Sequence, residues 1–585
     1  MGDLQIKKQA KHYDAVIVGS GAGGGMAAYV LANAGLKVCL LEAGPMFDPK
    51  TDSNQLKNAW ESPRRGASTK FRPFGDFDGC YWGWEVDGEP YTQSGAAGTT
   101  SWEWWRARML GGRTNHWGRI SLRFGPKDFK RKSIDGLGDD WPIGYDDVKP
   151  YYDKIDQLLG VFGTNEGLPN DPDGIFLPPP KPRLHELFIK KAGTSVGVPV
   201  IPSRLSILTK AINKERGQCF FCAQCGRSCK VYGDFSASSC LVIPALKTGN
   251  IDLVTGAMAR EVLTNKEGLA TGVSYVHKDD MQEYQVYGRT VILAASACES
   301  ARLMLNSKSV RHPNGLGNNS DNVGRYLHDS TGSDMSGIIP QLLDRKRYNE
   351  DGVGGMHVYS PWWLDNKKQK LDFPRGYHIE YGGGFGMPIY GFSWGIENLN
   401  GDYNIMGKKQ EAGGYGASLK KDYRSLFGAH VGMAGRGEAV ANKENYCRID
   451  PDGVVDKYGI PVLQFNVSHS EYEIKQAKHM QETFKEILHA MGAIVMHGND
   501  NGPHNNYGLH APGNIIHEAG TVRMGKDAKT SPLNEWSQAH DCKNLFCVDG
   551  GPFVSQADKN ITWTILALSM RTSEYIVDQL KKNNI

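Results

Sequence analysis

An α/β fold that carries a second, mostly antiparallel β unit is what this 585-residue sequence predicts. Three observations predict it. Residues 13–44 read as strand, glycine turn, helix and second strand. Short apolar strands and glycine turns return near the C-terminus. Between them, over 325–500, aromatic residues and glycine alternate with polar ones, which suits an antiparallel sheet with one face in a cavity.

The first unit carries the most specific signal. Ala15 to Val18 is a short, β-branched apolar run of the kind that forms a buried parallel strand. Gly19, Gly21 and Gly24 follow in G-x-G-x-x-G spacing. The first glycine permits a tight turn, the second lets backbone approach a pyrophosphate, and the third lets helix pack on strand. Met26 to Ala34 has helix-forming residues with Gly35 as its stop, and Val38 to Leu41 is a second strand ending in Glu42. A carboxylate there can accept from the hydroxyls of an adenosine ribose, while the helix N-terminus favours the pyrophosphate. The unit therefore predicts a Rossmann-like dinucleotide site, with a glycine turn in an ordinary βαβ unit as the plain alternative. It does not choose between FAD and NAD.

Later elements follow in order. Residues 45–105, rich in Gly and Trp, read as extended loop around a ligand or a neighbouring domain. Gly111 and Gly112 open a polar-aromatic run through Asn115, His116 and Trp117, which suits backbone packed on a flat cofactor. Helices are predicted over 148–159 and 184–198, with the extended linker 177–182 between them. Ile251–Val254, Ala270–Val276 and Gln285–Leu293 read as strands, and Ala301–Leu305 as a short helix after a strand-to-helix turn. Residues 470–492 form an amphipathic helix stopped by Gly492. Leu545–Val548, the turn Asp549-Gly550-Gly551 and a helix over 561–580 close the chain. The implied domains are a discontinuous dinucleotide-binding domain (1–120, 196–324, 501–585, with a Cys-rich insert at 216–243) and a substrate-binding domain (121–195, 325–500).

Composition excludes several classes. Lys+Arg 67 against Asp+Glu 64 leaves a net charge of +3 with no long single-sign block, so nothing points to nucleic acid. No run approaches the ~20 apolar residues that span a bilayer. Residues 1–12 have no apolar h-region and no twin arginine, so no secretory leader is expected. Eleven cysteines, four of them crowded into Cys219–Cys229, do not resemble the disulfide framework of a small secreted protein.

Several separated stretches together resemble the glucose–methanol–choline (GMC) oxidoreductases, a family of flavoenzymes. They are the N-terminal fingerprint with Glu42, and Gly111-Gly112 through Trp117. A third is Ser296 to Ser307, close to a family signature but with Ala301 for the usual Pro or Ser and Lys308 for the usual Gly. The fourth combines His517 to Gly525, Val548 to Gly551 and Asn560 to Thr562. Their order and spacing match from end to end. The resemblance implies the GMC fold, FAD as the dinucleotide, and oxidation of a hydroxyl by hydride transfer to flavin N5. It places Asp549 and Gly550 at the cofactor, His517 as the active-site histidine and Asn560 as its partner. Many relatives have a second histidine at that position; asparagine resembles some sugar and glycoside dehydrogenases. Histidine titrates near neutral pH without special tuning and suits a base, and a neutral amide can donate to the substrate oxygen. Asn560 also reads as a helix N-cap. His116 either packs on the flavin or tethers it covalently, as a similar histidine does in some relatives.

Cys219, Cys222, Cys225 and Cys229 have C-x2-C-x2-C-x3-C spacing, as in bacterial ferredoxins, with Lys230 in place of their following proline. The expectation is an iron–sulfur cluster: [3Fe–4S] on three thiolates, or [4Fe–4S] completed by Cys229 or Cys240. Zinc is the competing ligand, although its four-cysteine sites usually come as two separated pairs. Similar cysteine-bearing relatives, the dehydrogenase subunits for glucose, gluconate and glucosides, use such a cluster to pass electrons to a partner. The resemblance thus implies a sugar or glycoside dehydrogenase, with C3 one candidate carbon. It also implies a small accessory subunit and a cytochrome-type acceptor. The alternative is an oxidase of the same fold with zinc or nothing on the cysteines. The expected location is the periplasm, reached with a signal-bearing partner, or the cytoplasm. Trp362, Trp363, Trp394 and Tyr381 are candidates to stack on a sugar ring, or else core aromatics.

Overall fold

The structure is a computed structural model that describes residues 11–61, 81–95, 102–346, 352–384, 404–405, 408–409, 416–417, 424–496 and 501–585. Trp394 and Cys80 lie outside the described residues.

The apolar runs of the first unit become the middle of a mostly parallel sheet. Ile251–Val254, Val38–Leu41, His12–Val18 and Glu283–Leu293 lie side by side in that order, all parallel. Cys542–Cys547 joins parallel to the end of Glu283–Leu293, pairing Val291 with Leu545 and Leu293 with Cys547. Ala15, Val16 and Ile17 are fully buried, as expected of a strand covered on both faces. The helix Ala22–Asn33 covers one of these faces and packs on the C-terminal helix Thr562–Lys581, where Ser569 donates to the Gly23 carbonyl at 2.7 Å. Residues 546 positions apart in sequence thus close one layer.

The long strand Glu283–Leu293 serves two neighbours. Its second half pairs with His12–Val18, and its first half turns antiparallel onto Ala270–His277 and then Ala257–Thr264. Ala257–Thr264 carries no strand signal in its residue pattern. Arg260 and Glu261 interrupt its alternation, and its register shifts between Ala259 and Glu261.

The predicted antiparallel sheet forms from Ile494–Val495, Thr331–Ile338, His430–Gly437, Tyr377–Gly383, Val358–Ser360 and Ile201–Pro202, in that order. Its core face is covered by the helix Glu471–Met491, which begins where Ser470 accepts from the Tyr472 amide and ends at Gly492 in the left-handed region. Met480, Phe484, Ile487 and Leu488 bury against Met335, Ile379, Tyr381 and Met433. Each such side chain contributes about 1.5–3 kcal/mol on burial.

Trp362 and Trp363 are half-buried and line a second cavity of about 700 Å³. They pack on Tyr377, with Trp362 also against Phe373 and His479. Tyr381 is buried in the same core, its hydroxyl 2.7 Å from Ser360. The helix Tyr145–Leu159, read from the sequence as part of the substrate unit, packs on the C-terminal helix: Trp563 donates to Asp156 at 2.8 Å. No helix among the described residues is long and apolar enough to cross a membrane.

Candidate active site

Where the parallel strands end, the chain leaves a cavity of about 700 Å³. Gly19, Gly21, Ala22 and Gly23 form one wall. The helix Ala22–Asn33 starts there with Gly21 at its N-cap and no side chain bonded to its first amides, so those donors and the positive helix end serve a ligand. Gly19 has φ +95, and a Cβ on it would meet the Ala294 carbonyl oxygen at 2.4 Å. Gly24 stands behind this wall and lets the helix touch the turn: a Cβ there would lie 1.8 Å from the Gly19 oxygen. Glu42 also lines the cavity. Its carboxylate accepts from Ser20 Oγ at 2.5 Å and the Gly44 amide at 2.7 Å, so it also fixes the glycine turn.

The adjoining wall carries Gly112, Arg113, Thr114, His116 and Trp117, packed against the glycine turn where the Gly111 amide donates to Ser20 Oγ at 2.9 Å. Gly111 and Asn115 brace this loop from behind. Asn115 Nδ2 donates to the Leu110 carbonyl at 2.8 Å, and its Oδ1 accepts from Ser238 Oγ at 2.8 Å. Trp105 Nε1 donates to His116 Nε2 at 3.2 Å, and burial, aided by Arg119 and Arg113, lowers the His116 imidazole to about 3. Ser296, in the left-handed region at φ +95, Asp549 and Gly550 close the side where strand turns to helix. Asp549 accepts from Ser300 Oγ at 2.5 Å and the Gly551 amide at 2.8 Å. A glycine-lined cradle at a helix N-terminus, with an acid at the second strand, fits an FAD-sized dinucleotide.

At the far end of the cavity stand His517 and Asn560, 43 residues apart in sequence and 3.3 Å apart at His517 Nε2 and Asn560 Nδ2. His517 Nδ1 lies 3.0 Å from Ser330 Oγ, which also receives Gln556 Nε2 at 2.6 Å. An amide nitrogen can only donate, so Nε2 presents its lone pair toward Asn560 and the cavity, and Nδ1 carries the ring proton to Ser330. Burial pushes this imidazole down to about 3, against the opposing pull of Glu380. Below the ring, the Asp329 carboxylate accepts the amides of His517 at 2.7 Å and Ile515 at 3.0 Å. Burial, helped by Glu518, lifts Asp329 to about 7 despite those bonds.

Asn560 does not cap the helix that follows it. That helix starts from Ile561 with no side-chain cap, and the Asn560 amide is used on His517 and on Glu380 Oε1 at 3.2 Å. Burial alone would raise the Glu380 carboxyl; the bond from His378 and the charge of Arg436 hold it at about 2. Ser330, Gln556, Asp329 and Glu380 were not marked as site residues from the sequence. Ser330 and Asp329 reach His517 across 187 and 188 residues and Glu380 reaches Asn560 across 180, while Gln556 lies just before Asn560 with no motif to mark it. Arg113 lines the cavity too and pairs with Glu518 at 2.6 Å, beside His517.

The four cysteines fold as one loop outside this cavity. Cys219 accepts from the Phe221 amide at 3.3 Å, Cys225 from the Gly354 amide at 3.4 Å, and Cys222 from Gln55 Nε2 at 3.2 Å. The Gln224 amide also points to Cys222, and those of Val231 and Gly233 to Cys229. Soft thiols ringed by amide donors are the right chemistry for an iron–sulfur cluster. Among the described residues, however, no three His, Cys, Asp or Glu side chains converge as a metal-binding group. The loop touches the cavity wall through Ser228 Oγ, which donates to the Asn115 carbonyl at 2.5 Å.

Comparison with known proteins places this geometry. The GMC oxidoreductase models match residues 181–331 and 442–569, and an FAD binding domain model matches 14–53. The chain is 29% identical over 582 residues to a 2-methyl-1,2-propanediol dehydrogenase of Mycolicibacterium austroafricanum, covering 97% of this chain and 95% of that protein. It is 24% identical to the fructose dehydrogenase large subunit of Gluconobacter japonicus, covering 97% and 98%. Among solved structures, a variant formate oxidase of Aspergillus oryzae superposes with TM-score 0.65 at 15% identity, covering 98% of this chain and 99% of that one, a likeness of fold. The chain belongs to the GMC oxidoreductase family and is an FAD-dependent oxidoreductase.

Proposed function

We propose that the protein is a dehydrogenase that oxidises a hydroxyl group of a sugar or glycoside, with His517 as base and Asn560 as its partner. The observation that carries this reading is the His517–Asn560 pair at the end of the cofactor cavity, with an unprotonated Nε2 facing it. Bound FAD, held by Gly19, Gly21, Glu42, Gly112, Asp549 and Gly550, supplies the hydride acceptor. His517 Nε2 takes the hydroxyl proton, and the ring proton on Nδ1 stays with Ser330. Glu380 keeps one proton of the Asn560 amide; the other, which rests on His517 Nε2 in the empty site, turns to the substrate oxygen when the hydroxyl takes its place at Nε2, and it stabilises the negative charge growing there. General base action of this kind is worth roughly 10²–10⁴ in rate. The similarity to a fructose dehydrogenase large subunit supports a sugar and an accessory subunit.

The same reading gives Cys219, Cys222, Cys225 and Cys229 to an iron–sulfur cluster that delivers electrons to a redox partner. Support comes from their spacing, from the amide donors around the sulfurs, and from the Ser228–Asn115 contact with the cofactor wall. Analysis of the purified protein for iron and acid-labile sulfide tests the cluster. Zinc without sulfide, or no metal, would favour an oxidase of the same fold. Anaerobic bleaching of the flavin by a panel of sugars, glycosides and simple alcohols tests the activity: reduction by sugars is expected, and reduction by none of the panel contradicts it.

A further inference from the structure

The antiparallel sheet has two unlike faces. One is the core under the helix Glu471–Met491. On the other, strand alternation and register place His378, Arg436 and Gly332 in one row, Glu380, Ala434 and Asp334 in the next, and Gly382, Gly432 and Ser336 in a third. Gly382, Gly432 and Ala434 make a floor almost without side chains, while Gly332 is covered by Ile515 and Arg436. A Cβ on Gly382 would meet no described atom within 4 Å, and one on Gly432 only the His430 ring at 3.7 Å.

Along this floor runs a continuous polar wall that starts at the catalytic pair. Asn560 donates to Glu380, Arg436 Nε lies 3.9 Å from Glu380, and Arg436 Nη1 lies 3.1 Å from Asp334. His510 Nε2 then lies 2.7 Å from the other Asp334 oxygen. Accessibility along the wall is 13% at Glu380, 19% at Arg436, 46% at Asp334 and 30% at His510, so Asp334 is its most open member. The trough borders the cofactor cavity, because a Cβ on Gly332 would meet both Ile515, a cavity residue, at 2.5 Å and Arg436 at 3.1 Å.

Charged groups placed for core stability would be covered, and an ordinary β surface would carry side chains between them. Here acceptors and donors alternate outward from the reacting end beside a floor left open at Gly382, Gly432 and Ala434. A polyhydroxylated ring needs both: a flat surface for its C–H face, and carboxylate and guanidinium groups that accept from and donate to neighbouring hydroxyls. A small alcohol held at His517 and Asn560 would not reach Asp334.

We propose that this trough is the subsite for the part of a glycoside remote from the reacting hydroxyl, and that Asp334, Arg436 and His510 determine specificity there. This rests on the sugar reading of the function. The test measures flavin reduction in the holoenzyme with two substrates, methyl glucoside and 2-methyl-1,2-propanediol, in wild type, Asp334→Ala, Asp334→Asn and Gly432→Val. The expected result is a fall of at least tenfold in the ratio of kcat/KM for glucoside over diol in Asp334→Ala and Gly432→Val. The loss should sit mainly in KM, with partial recovery in Asp334→Asn. The diol rate shows that each variant is folded and loaded with flavin. If glycosides reduce the wild-type flavin and the ratio stays within twofold in all variants, the subsite is overturned. If the wild type accepts the diol and no glycoside, the sugar reading fails and the subsite falls with it.

Discussion

Two glycines three residues apart should fail in opposite ways when given a methyl group. Gly21 has φ −64 and ψ −159, which alanine adopts freely, and a Cβ there meets no described atom within 4 Å. Gly24→Ala instead drives a Cβ to 1.8 Å from the Gly19 oxygen and 3.0 Å from Ala294 Cβ, so the helix must back away from the strand turn. Overpacking of this kind costs about 1–3 kcal/mol of fold stability. Gly21→Ala carries no such cost without ligand and gains up to about 1 kcal/mol from a less flexible unfolded chain. Its methyl group projects into the cavity where backbone must approach the pyrophosphate. The same overpacking of about 1–3 kcal/mol then falls on FAD binding, about 5- to 150-fold in Kd. Thermal unfolding of flavin-free protein and FAD titration read the two effects separately. Gly21→Ala should melt within a degree or two of wild type yet bind FAD more weakly, whereas Gly24→Ala should melt lower. Wild-type FAD affinity in Gly21→Ala would refute the assignment of this glycine to ligand approach.

Other expectations follow from the same contacts. Burial lowers the His517 imidazole to about 3 and lifts Asp329 beneath it to about 7, so any limb of anaerobic flavin reduction between pH 8 and 5 should belong to Asp329 and vanish in Asp329→Asn; a limb near 6.5 that survives that substitution contradicts it. Burial also lowers His116, His185 and His357 to about 3 and His328 to about 4. The unfolded chain binds their protons near 6.5 and the folded chain does not, so this stability is complete above 6.5 and is lost as pH falls below it. Melting temperature should therefore decline from pH 7 to 5. Arg108 pairs with Glu89 at 2.6 Å and also with Glu299, all three buried beside the cavity. Among the described residues, Arg108→Met leaves Glu89 with only Lys278 at 3.8 Å and Glu299 with only Arg302 at 3.4 Å, and should cost up to about 3–5 kcal/mol, read by denaturant unfolding. Cys222→Ser should spare substrate bleaching of the flavin while lowering iron and sulfide content, if the loop holds the cluster proposed for it.

The local parts of this fold were legible because their physics is local. The turn at Gly19, the helix stop at Gly492 and the strand Ile251–Val254 each follow from residues within a few positions. Ala257–Thr264 was not legible, because its alternation breaks at Arg260 and Glu261 and tertiary pairing decides it. The site was legible only where a long-range pattern had already been learned: His517, Asn560 and Asp549 stand out by resemblance, not by spacing. Asn560 looked like a helix cap because helix N-termini favour asparagine, yet the structure spends its amide on His517 and Glu380. Exposed and core tryptophans share one sequence signature, and Trp362 and Trp363 combine the two settings: they pack on Tyr377 and also line a second cavity. Ser330, Gln556 and Asp334 give no signal at all until the sheet brings them to the cavity.

The central claim is that His517 Nε2 removes the substrate proton within a preformed cofactor cavity. Mixing oxygen-free wild type and His517→Ala with a reactive sugar, and following flavin absorbance, tests it most directly. The variant should keep its flavin and lose bleaching by roughly 10²–10⁴. A His517→Ala enzyme that retains flavin and bleaches at the wild-type rate would contradict the account.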